Sequence, residues 1–389
     1  MRNPKGCWLE CAVAALALFC AVGLNANTFS VYIPYLTRMF SLTPNQSSGF
    51  LMVRSLFSLS GVYLARYYYD KLDIRLGYTI AMLLSPAALM LYHSAAGFPG
   101  LCVASAFSGL SYGLGGMYPV AILMHRWFPR HESLAMGICA ASSGLAITVG
   151  APIITSLIEN HSLTVAMYSE AAFLVACGVI CFALLRNYPG ETPHVTHRYK
   201  STRHPIRLSW MFFAIMAIGI MNGSFSYLTI HYTTEGFDPY QVSTIMAVIG
   251  AFLVGAKFLL GELFDLWGGY RTNWLFFPAA LLSCILISVG GRAGYVPALM
   301  AAGLYGIGDS VATVGITVYA KDLSRPEHFA ATQQQFQVAS QLGGLLCTLL
   351  PGIVATATGS YRSFYGLITA LRVFATVVVQ KDYVKKKRR

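Results

Sequence analysis

Charge is the scarcest ingredient of this chain. Asp, Glu, Lys and Arg make up 11% of its 389 residues, where a soluble domain carries about 25%. That is too little to coat a water-soluble fold of this length. It excludes an ordinary cytosolic enzyme, a disordered segment and a nucleic-acid-binding domain. Acid is scarcer still: 15 Asp and Glu stand against 27 Lys and Arg, for a net charge of +12. Catalytic motifs are missing too. There is no Gly-x-x-x-x-Gly-Lys-Ser/Thr phosphate loop, no His-Glu-x-x-His and no nucleophile elbow. ATP is therefore not expected to act on it directly, no cofactor is expected, and the chain does not read as an enzyme. The nine cysteines form no Cys-x-x-Cys; Cys7/Cys11 and Cys177/Cys181 are four apart and read as small apolar residues, with neither metal nor disulfide.

What the chain has instead is apolar length. Hydrophobic residues make up 56% of it. About 20 apolar residues in a helix cross a hydrocarbon core of about 30 Å. Twelve such runs can be drawn, at 8–36, 46–68, 76–95, 98–125, 132–158, 163–185, 209–232, 240–264, 272–291, 295–319, 328–357 and 361–380. They are near-continuous rather than alternating, which indicates helices and not barrel strands. The first run is too long for a secretory signal and is kept as span 1. With the N-terminus placed in the cytoplasm, 21 of the 27 basic residues fall in cytoplasmic segments, three outside (Arg38, Arg292, Arg362) and three inside spans. That bias predicts an even number of spans with both termini cytoplasmic, in a plasma or inner membrane. The Lys385–Arg389 cluster reads as a topology anchor against the lipid bilayer. Nucleic acid is not an expected partner, and the chain is expected to be a monomer.

The chain also repeats itself. Asp70 and Asp265 sit in matching connectors, 195 residues apart, and Asn27/Asn222, Gly113/Gly308, Arg126/Lys321, Arg130/Arg325 and Glu132/Glu327 share that offset. Two related six-helix halves are expected, at 1–186 and 208–389, joined by a polar cytoplasmic linker at 187–207. The linker histidines read as exposed loop residues.

Asp70-Lys71-Leu72-Asp73-Ile74-Arg75, and Gly261-x-x-x-Asp265-x-x-Gly268 with Arg271, resemble the connector motif of the major facilitator superfamily. The likeness covers the whole chain. It implies an all-α fold of twelve transmembrane helices in two pseudo-symmetric bundles. It also implies transport by alternating access, with Asp70, Arg75, Arg126, Asp265 and Arg271 latching the cytoplasmic side. Arg126-Trp127-Phe128-Pro129-Arg130 followed by Leu134-Ala135-Met136-Gly137 is similar to the oxalate/formate antiporter and monocarboxylate transporter branch. In that branch a basic residue of helix 8, eight before the connector acid, meets the substrate carboxylate. The resemblance carries this role to Lys257. The branch's second basic residue, in helix 11, is absent from Gln333–Gln341, which favours a single carboxylate. Where proton-coupled members carry an acid in helix 1, this chain has Asn25 and Asn27.

Ionisable residues inside spans cost about 3 kcal/mol each and normally face the bundle interior. Arg54, Glu170, Lys257, Asp309 and Arg372 are those well inside runs. Lys257 either holds an anionic substrate or pairs with Asp309. Arg54 either offers its guanidinium fork to a carboxylate or pairs with Glu170. Asp309 is a proton site or a counter-ion, and Arg372 reads as structural. The uncharged candidates for the substrate site are Asn27, Tyr118, Asn222, Tyr227 and Gln337, with interhelical hydrogen bonding as their other reading. The expected function is secondary transport of a small organic anion, a monocarboxylate first, driven by protons or an exchanged anion. A neutral amino acid, sugar or drug-like solute is the alternative, and a transporter-like sensor a third.

Overall fold

A backbone in lipid must pair its polar groups within itself, so apolar runs of this length close into helices. The computed structural model describes residues 6–128, 132–186, 209–290, 294–324 and 329–387, and among them every regular element is helical. In chain order they are α1 (Cys7–Met39), α2 (Pro44–Lys71), α3 (Ile74–His93), α4 in two pieces (Phe98–Gly115 and Met117–Trp127), α5 (Glu132–Asn160) and α6 (Leu163–Leu184). There follow α7 (Trp210–Thr234), α8 (Pro239–Trp267), α9 (Gly269–Gly290), α10 (Tyr295–Ser310, Val311–Gly315 and Ile316–Leu323), α11 (Phe329–Thr358) and α12 (Arg362–Lys387). The 187–207 linker, Arg130 and Arg325 lie outside the described residues.

Eleven helices among the described residues are long and apolar enough to cross a membrane. The run expected at 98–125 is not one of them as a single helix. It breaks at Gly116, whose backbone (φ −80°, ψ −144°) leaves the helical region. Other first and fourth helices of each half are also interrupted. Phe19–Thr28 of α1 and Val311–Gly315 of α10 are π-helical, and Phe225–Tyr227 of α7 is a 3-10 turn. Such irregular turns inside helices often mark functional positions.

Local chemistry repeats between the halves. Thr43 and Gln46 form a capping box before α2, and Asp238 and Gln241 form one before α8, each with Pro at the first helical position. Both pairs are 195 apart. At α4 and α10 the frame has slipped. Gly109 lies so close to the Arg54 carbonyl of α2 that an added Cβ would stand 2.2 Å from it. On the other half Gly306, not a residue 195 away, meets the Ile249 carbonyl of α8 at 2.4 Å. The offset there is 197, which also separates the N-cap glycines Gly97 and Gly294. By that frame Gly113 no longer matches Gly308, and Tyr112 matches Asp309. Two extra residues in α9 relative to α3 account for the slip (22 against 20).

The core divides by depth. At the end remote from the chain termini, one apolar cluster joins both halves through Phe29, Tyr32, Ile147, Leu228, Met246 and Phe364. At the end that carries Cys7 and Lys387 the clusters each stay within one half: Cys11, Met124 and Leu174 belong to one, Ala65, Ala81 and Leu114 to a small one beside it, and Ile215, Phe264 and Val379 to that of the second half. Among the described residues the shared apolar core is thus at the far end, and none is shared at the terminal end. Far-end seams include Thr229 Oγ1 donating to the Ser30 carbonyl at 2.6 Å and Gly352 of α11 against Ser48 of α2.

Candidate functional site

The seam between the halves at mid-depth is α5 against α8. Small residues let the backbones close: a Cβ on Gly250 would meet Ile147 at 2.4 Å and the Gly144 carbonyl at 2.7 Å. Two turns along α8 from Gly250, Lys257 crosses this seam. Its side chain is buried, and Nζ donates to the Ala140 carbonyl at 3.1 Å and to Ser143 Oγ at 3.0 Å. An ammonium has three donors and no acceptor. Here it meets two neutral oxygens and, among the described residues, no carboxylate within ion-pair distance. The Lys257–Asp309 pair considered from sequence does not form as a direct contact, although each charge acts on the other at longer range.

Ser143 is a second node of the same seam. Its carbonyl accepts from Asn27 Nδ2 of α1 at 3.1 Å. Lys257 and Asn27, from opposite halves, therefore converge on one helical turn of α5. Sequence reasoning missed Ser143, because a lone serine in a long apolar helix carries no signal of its partners. Asn222 of α7 and Gln337 of α11 are half-buried, and neither side chain makes a hydrogen bond. Tyr118 is 37% exposed on the second piece of α4, its ring 6.1 Å from that of Tyr69. Tyr227 is buried and donates to the Thr348 carbonyl of α11 at 2.9 Å, within its own half.

The first half holds its buried charges on neutral partners. Arg54 donates to the Asn25 carbonyl at 2.9 Å, and its guanidinium carbon lies 5.1 Å from the Phe29 ring centre. Asn25 sits in the π-helical stretch of α1. Its side chain is fixed by Ser108, donating to the Ser108 carbonyl at 3.0 Å and accepting from Ser108 Oγ at 2.8 Å. Glu170 accepts from Tyr32 OH at 2.6 Å. The Arg54–Glu170 pair weighed from sequence is not formed. Glu170 and Asn25 instead border a cavity of about 10 Å³, room for one water.

In the second half Lys257 rests on neutral oxygens in the same way, but Asp309 and Arg372 do not. Asp309 is 6% exposed and its Oδ1 has no hydrogen-bond partner. Arg372 is 2% exposed and none of its three guanidinium nitrogens has one. The two act on each other electrostatically without forming a contact pair. Tyr112, the α4 residue that matches Asp309 in the shifted frame, feels both the Arg54 and the Asp309 charge.

Of the connector residues, the side chains of Asp70, Arg126 and Asp265 lie outside the described residues. Arg75 is engaged within its own half: Nε donates to the Phe182 carbonyl of α6, and the guanidinium stacks 4.3 Å from the Phe182 ring centre. Arg271 is exposed at the start of α9.

A two-half helical bundle with buried charge at its centre can be compared with known proteins. Residues 14–348 match the family model of the Major Facilitator Superfamily. The chain belongs to that superfamily. It is a multi-pass membrane protein of a transporter family, not an enzyme family. It is 26% identical over 307 residues, 76% of its own length and 77% of the relative's, to an uncharacterized 38 kDa protein in the 23S RNA operon of Thermoproteus tenax. Its fold matches a crystal structure of a variant of the nucleoside transporter NupG with a TM-score of 0.74. That match has 13% identity and covers 97% of this chain and 100% of that one. It also matches a bacterial homologue of the human lysosomal transporter Spinster, in an inward-facing and occupied conformation. There the TM-score is 0.69, with 14% identity over 100% of this chain and 98% of that one. These two likenesses establish the fold and leave the substrate open.

Proposed function

We propose that this superfamily member is a secondary transporter for a small organic anion, with a monocarboxylate as its first substrate class. The carrying observation is Lys257: a buried ammonium at the seam of the two halves, held by neutral oxygens and without a direct counter-ion. The buried charges of the second half add to it. Lys257 and Arg372 stand against Asp309 alone, an excess of one positive charge in a region of low dielectric. A carboxylate entering beside Lys257 supplies the missing negative charge. Arg54, Asn27, Tyr118, Asn222, Tyr227 and Gln337 are proposed to complete the site, of which Asn222 and Gln337 bring amides with no protein partner.

With the termini in the cytoplasm of a cell whose plasma or inner membrane holds the protein, the split core opens inward and the shared core closes the outside. Rocking to the outward-open state requires the far-end seam to part and the terminal ends to meet, where Asp70, Arg75, Arg126, Asp265 and Arg271 are proposed to latch. Lys257 is covered by α5 in this state, so anion binding exchanges its bonds to Ala140 and Ser143 for the carboxylate. Asp309 is proposed as the coupling or counter-ion residue. Protonation of Asp309 adds positive charge to the region and so favours the anion. Protons or an exchanged anion are the proposed driving partners.

Counterflow into proteoliposomes tests this. Labelled lactate, formate, oxalate and neutral amino acids are offered with and without a pH gradient. Lys257→Gln is expected to reduce carboxylate counterflow by about 10- to 150-fold, the equivalent of a charged hydrogen bond at about 1.5–3 kcal/mol. Unchanged carboxylate flux in that variant removes Lys257 from the site. The long-range electrostatic link of Lys257 to Asp309 favours a second reading, a neutral-solute carrier in which the two charges balance each other. Under it, swapping the charges restores flux of a neutral solute.

A further inference from the structure

A groove runs down the outer face of the second half between α9 and α12, at the terminal end. Its volume is about 370 Å³. One wall is Tyr270 and Trp274, four apart on α9 and 42% and 56% exposed. The other is Thr376, Val377, Lys381, Val384 and Lys385 on α12, with Gln380 between the walls. Nine residues separate Thr376 from Lys385, about 14 Å of helix. The apolar stretch lies deeper, and both lysines sit toward the helix end. They are four apart, on one face of α12.

The charges around the groove are of one sign except for a single exposed pair. Lys385 reaches Asp382 at 3.4 Å, with the lysine side chain 74% exposed. Such pairs contribute little. The acid of α10 nearest this end of α12, Asp322, is turned to Tyr383 OH at 2.9 Å. Among the described residues Lys381 has no acidic partner within ion-pair distance. The sequence continues Lys386-Lys387-Arg388-Arg389. Gln380 adds an independent sign of a ligand. Its Nε2 donates to the Tyr270 carbonyl at 3.1 Å and ties the two helices together. Its Oε1 is buried without any partner. A buried acceptor at an open groove is satisfied by a donor from outside the protein.

We propose that this groove binds one anionic phospholipid of the leaflet at the terminal end. Its phosphate lies against Lys381 and Lys385. A hydroxyl of its headgroup or glycerol donates to Gln380 Oε1, and the upper part of one acyl chain packs between Trp274 and Val377. An interfacial tryptophan beside basic residues fits that depth. The site stands apart from the substrate seam, so it does not depend on the transported solute.

Brominated lipids test it through Trp274. Tryptophan fluorescence of the full chain is read in bilayers of brominated phosphatidylglycerol or brominated phosphatidylcholine, and the Trp274→Phe spectrum is subtracted to isolate this residue. Quenching by the anionic lipid is expected to be at least about twofold stronger than by the zwitterionic one. Lys381→Gln/Lys385→Gln is expected to equalise the two, and Lys381→Arg/Lys385→Arg to keep the difference, which separates lost charge from lost folding. Equal quenching in the unchanged protein overturns the proposal, as does a preference that survives removal of both lysines. Loss of the preference on adding soluble glycerol phosphate also overturns it, and assigns the groove to a free phosphate instead.

Discussion

The two halves share an architecture and differ in how completely they partner their buried charges. In the first half, Arg54 rests on the Asn25 carbonyl and the Phe29 ring, and Glu170 on the Tyr32 hydroxyl. In the second half, Asp309 and Arg372 are as deeply buried, and no donor or acceptor reaches Arg372 or the Asp309 Oδ1. A buried polar group without a partner costs about 1–3 kcal/mol, and more when charged. The first half is therefore built to hold one charge arrangement. The second leaves Arg372 and one oxygen of Asp309 without hydrogen-bond partners among the described residues. The asymmetry has a sequence origin: Tyr112 and Asp309 occupy matching places, so the second half buries an acid where the first has a tyrosine.

The largest expected effect comes from breaking the charge balance of the second half. Arg372→Met leaves Asp309 to Lys257 alone and is expected to cost up to about 3 kcal/mol of stability, the low end for a broken contact pair, because the two groups do not touch. Thermal unfolding in detergent measures it, and adding Asp309→Asn is expected to recover a good part of the loss. A small loss for Arg372→Met would place Arg372 outside the balance. Gly109→Ala and Gly306→Ala probe where the halves are alike. Each puts a Cβ within 2.4 Å of a carbonyl, so both are expected to lose about 1–3 kcal/mol, by similar amounts. Unequal losses would refute the shifted frame. In the same range, Tyr32→Phe removes the hydroxyl that Glu170 accepts from, for about 1.5–3 kcal/mol, whereas Tyr227→Phe breaks a bond to a backbone carbonyl for about 1 kcal/mol, the smallest effect. The same unfolding assay compares the two, and a reversed order would contradict the account of Glu170 as a charge held in place.

Helix positions were legible in the sequence because membrane length and hydropathy set them. The expected 132–158 and 163–185 became Glu132–Asn160 and Leu163–Leu184. The break in α4 was not legible, since Gly115-Gly116 in a glycine-rich helix looks like any close-packing pair. The shifted repeat was hidden for a similar reason. Apolar helices absorb two extra residues without a change in pattern. The twin capping boxes were legible in Thr43-Pro44-x-Gln46 and Asp238-Pro239-x-Gln241, and would have anchored the repeat better than Gly113 and Gly308. For the candidate site, sequence named the charged side chains but not their partners. Lys257, read from sequence as the holder of an anionic substrate or a partner of Asp309, bonds across the seam to Ala140 and Ser143. Backbone carbonyls carry no sequence signature, and which half a long side chain crosses to is decided by packing.

The irregular turns of α1, α4, α7 and α10 bear on how the molecule deforms. An α-helix resists bending because its ladder of bonds has no slack. A π turn, a 3-10 turn or a glycine break gives it slack at one level. In this chain the four slack points fall on the first and fourth helices of each half, while the other described helices run unbroken. Each half then behaves as a stiff frame around two jointed struts. The slack at mid-depth lets each half flex within itself as well as move as a whole body.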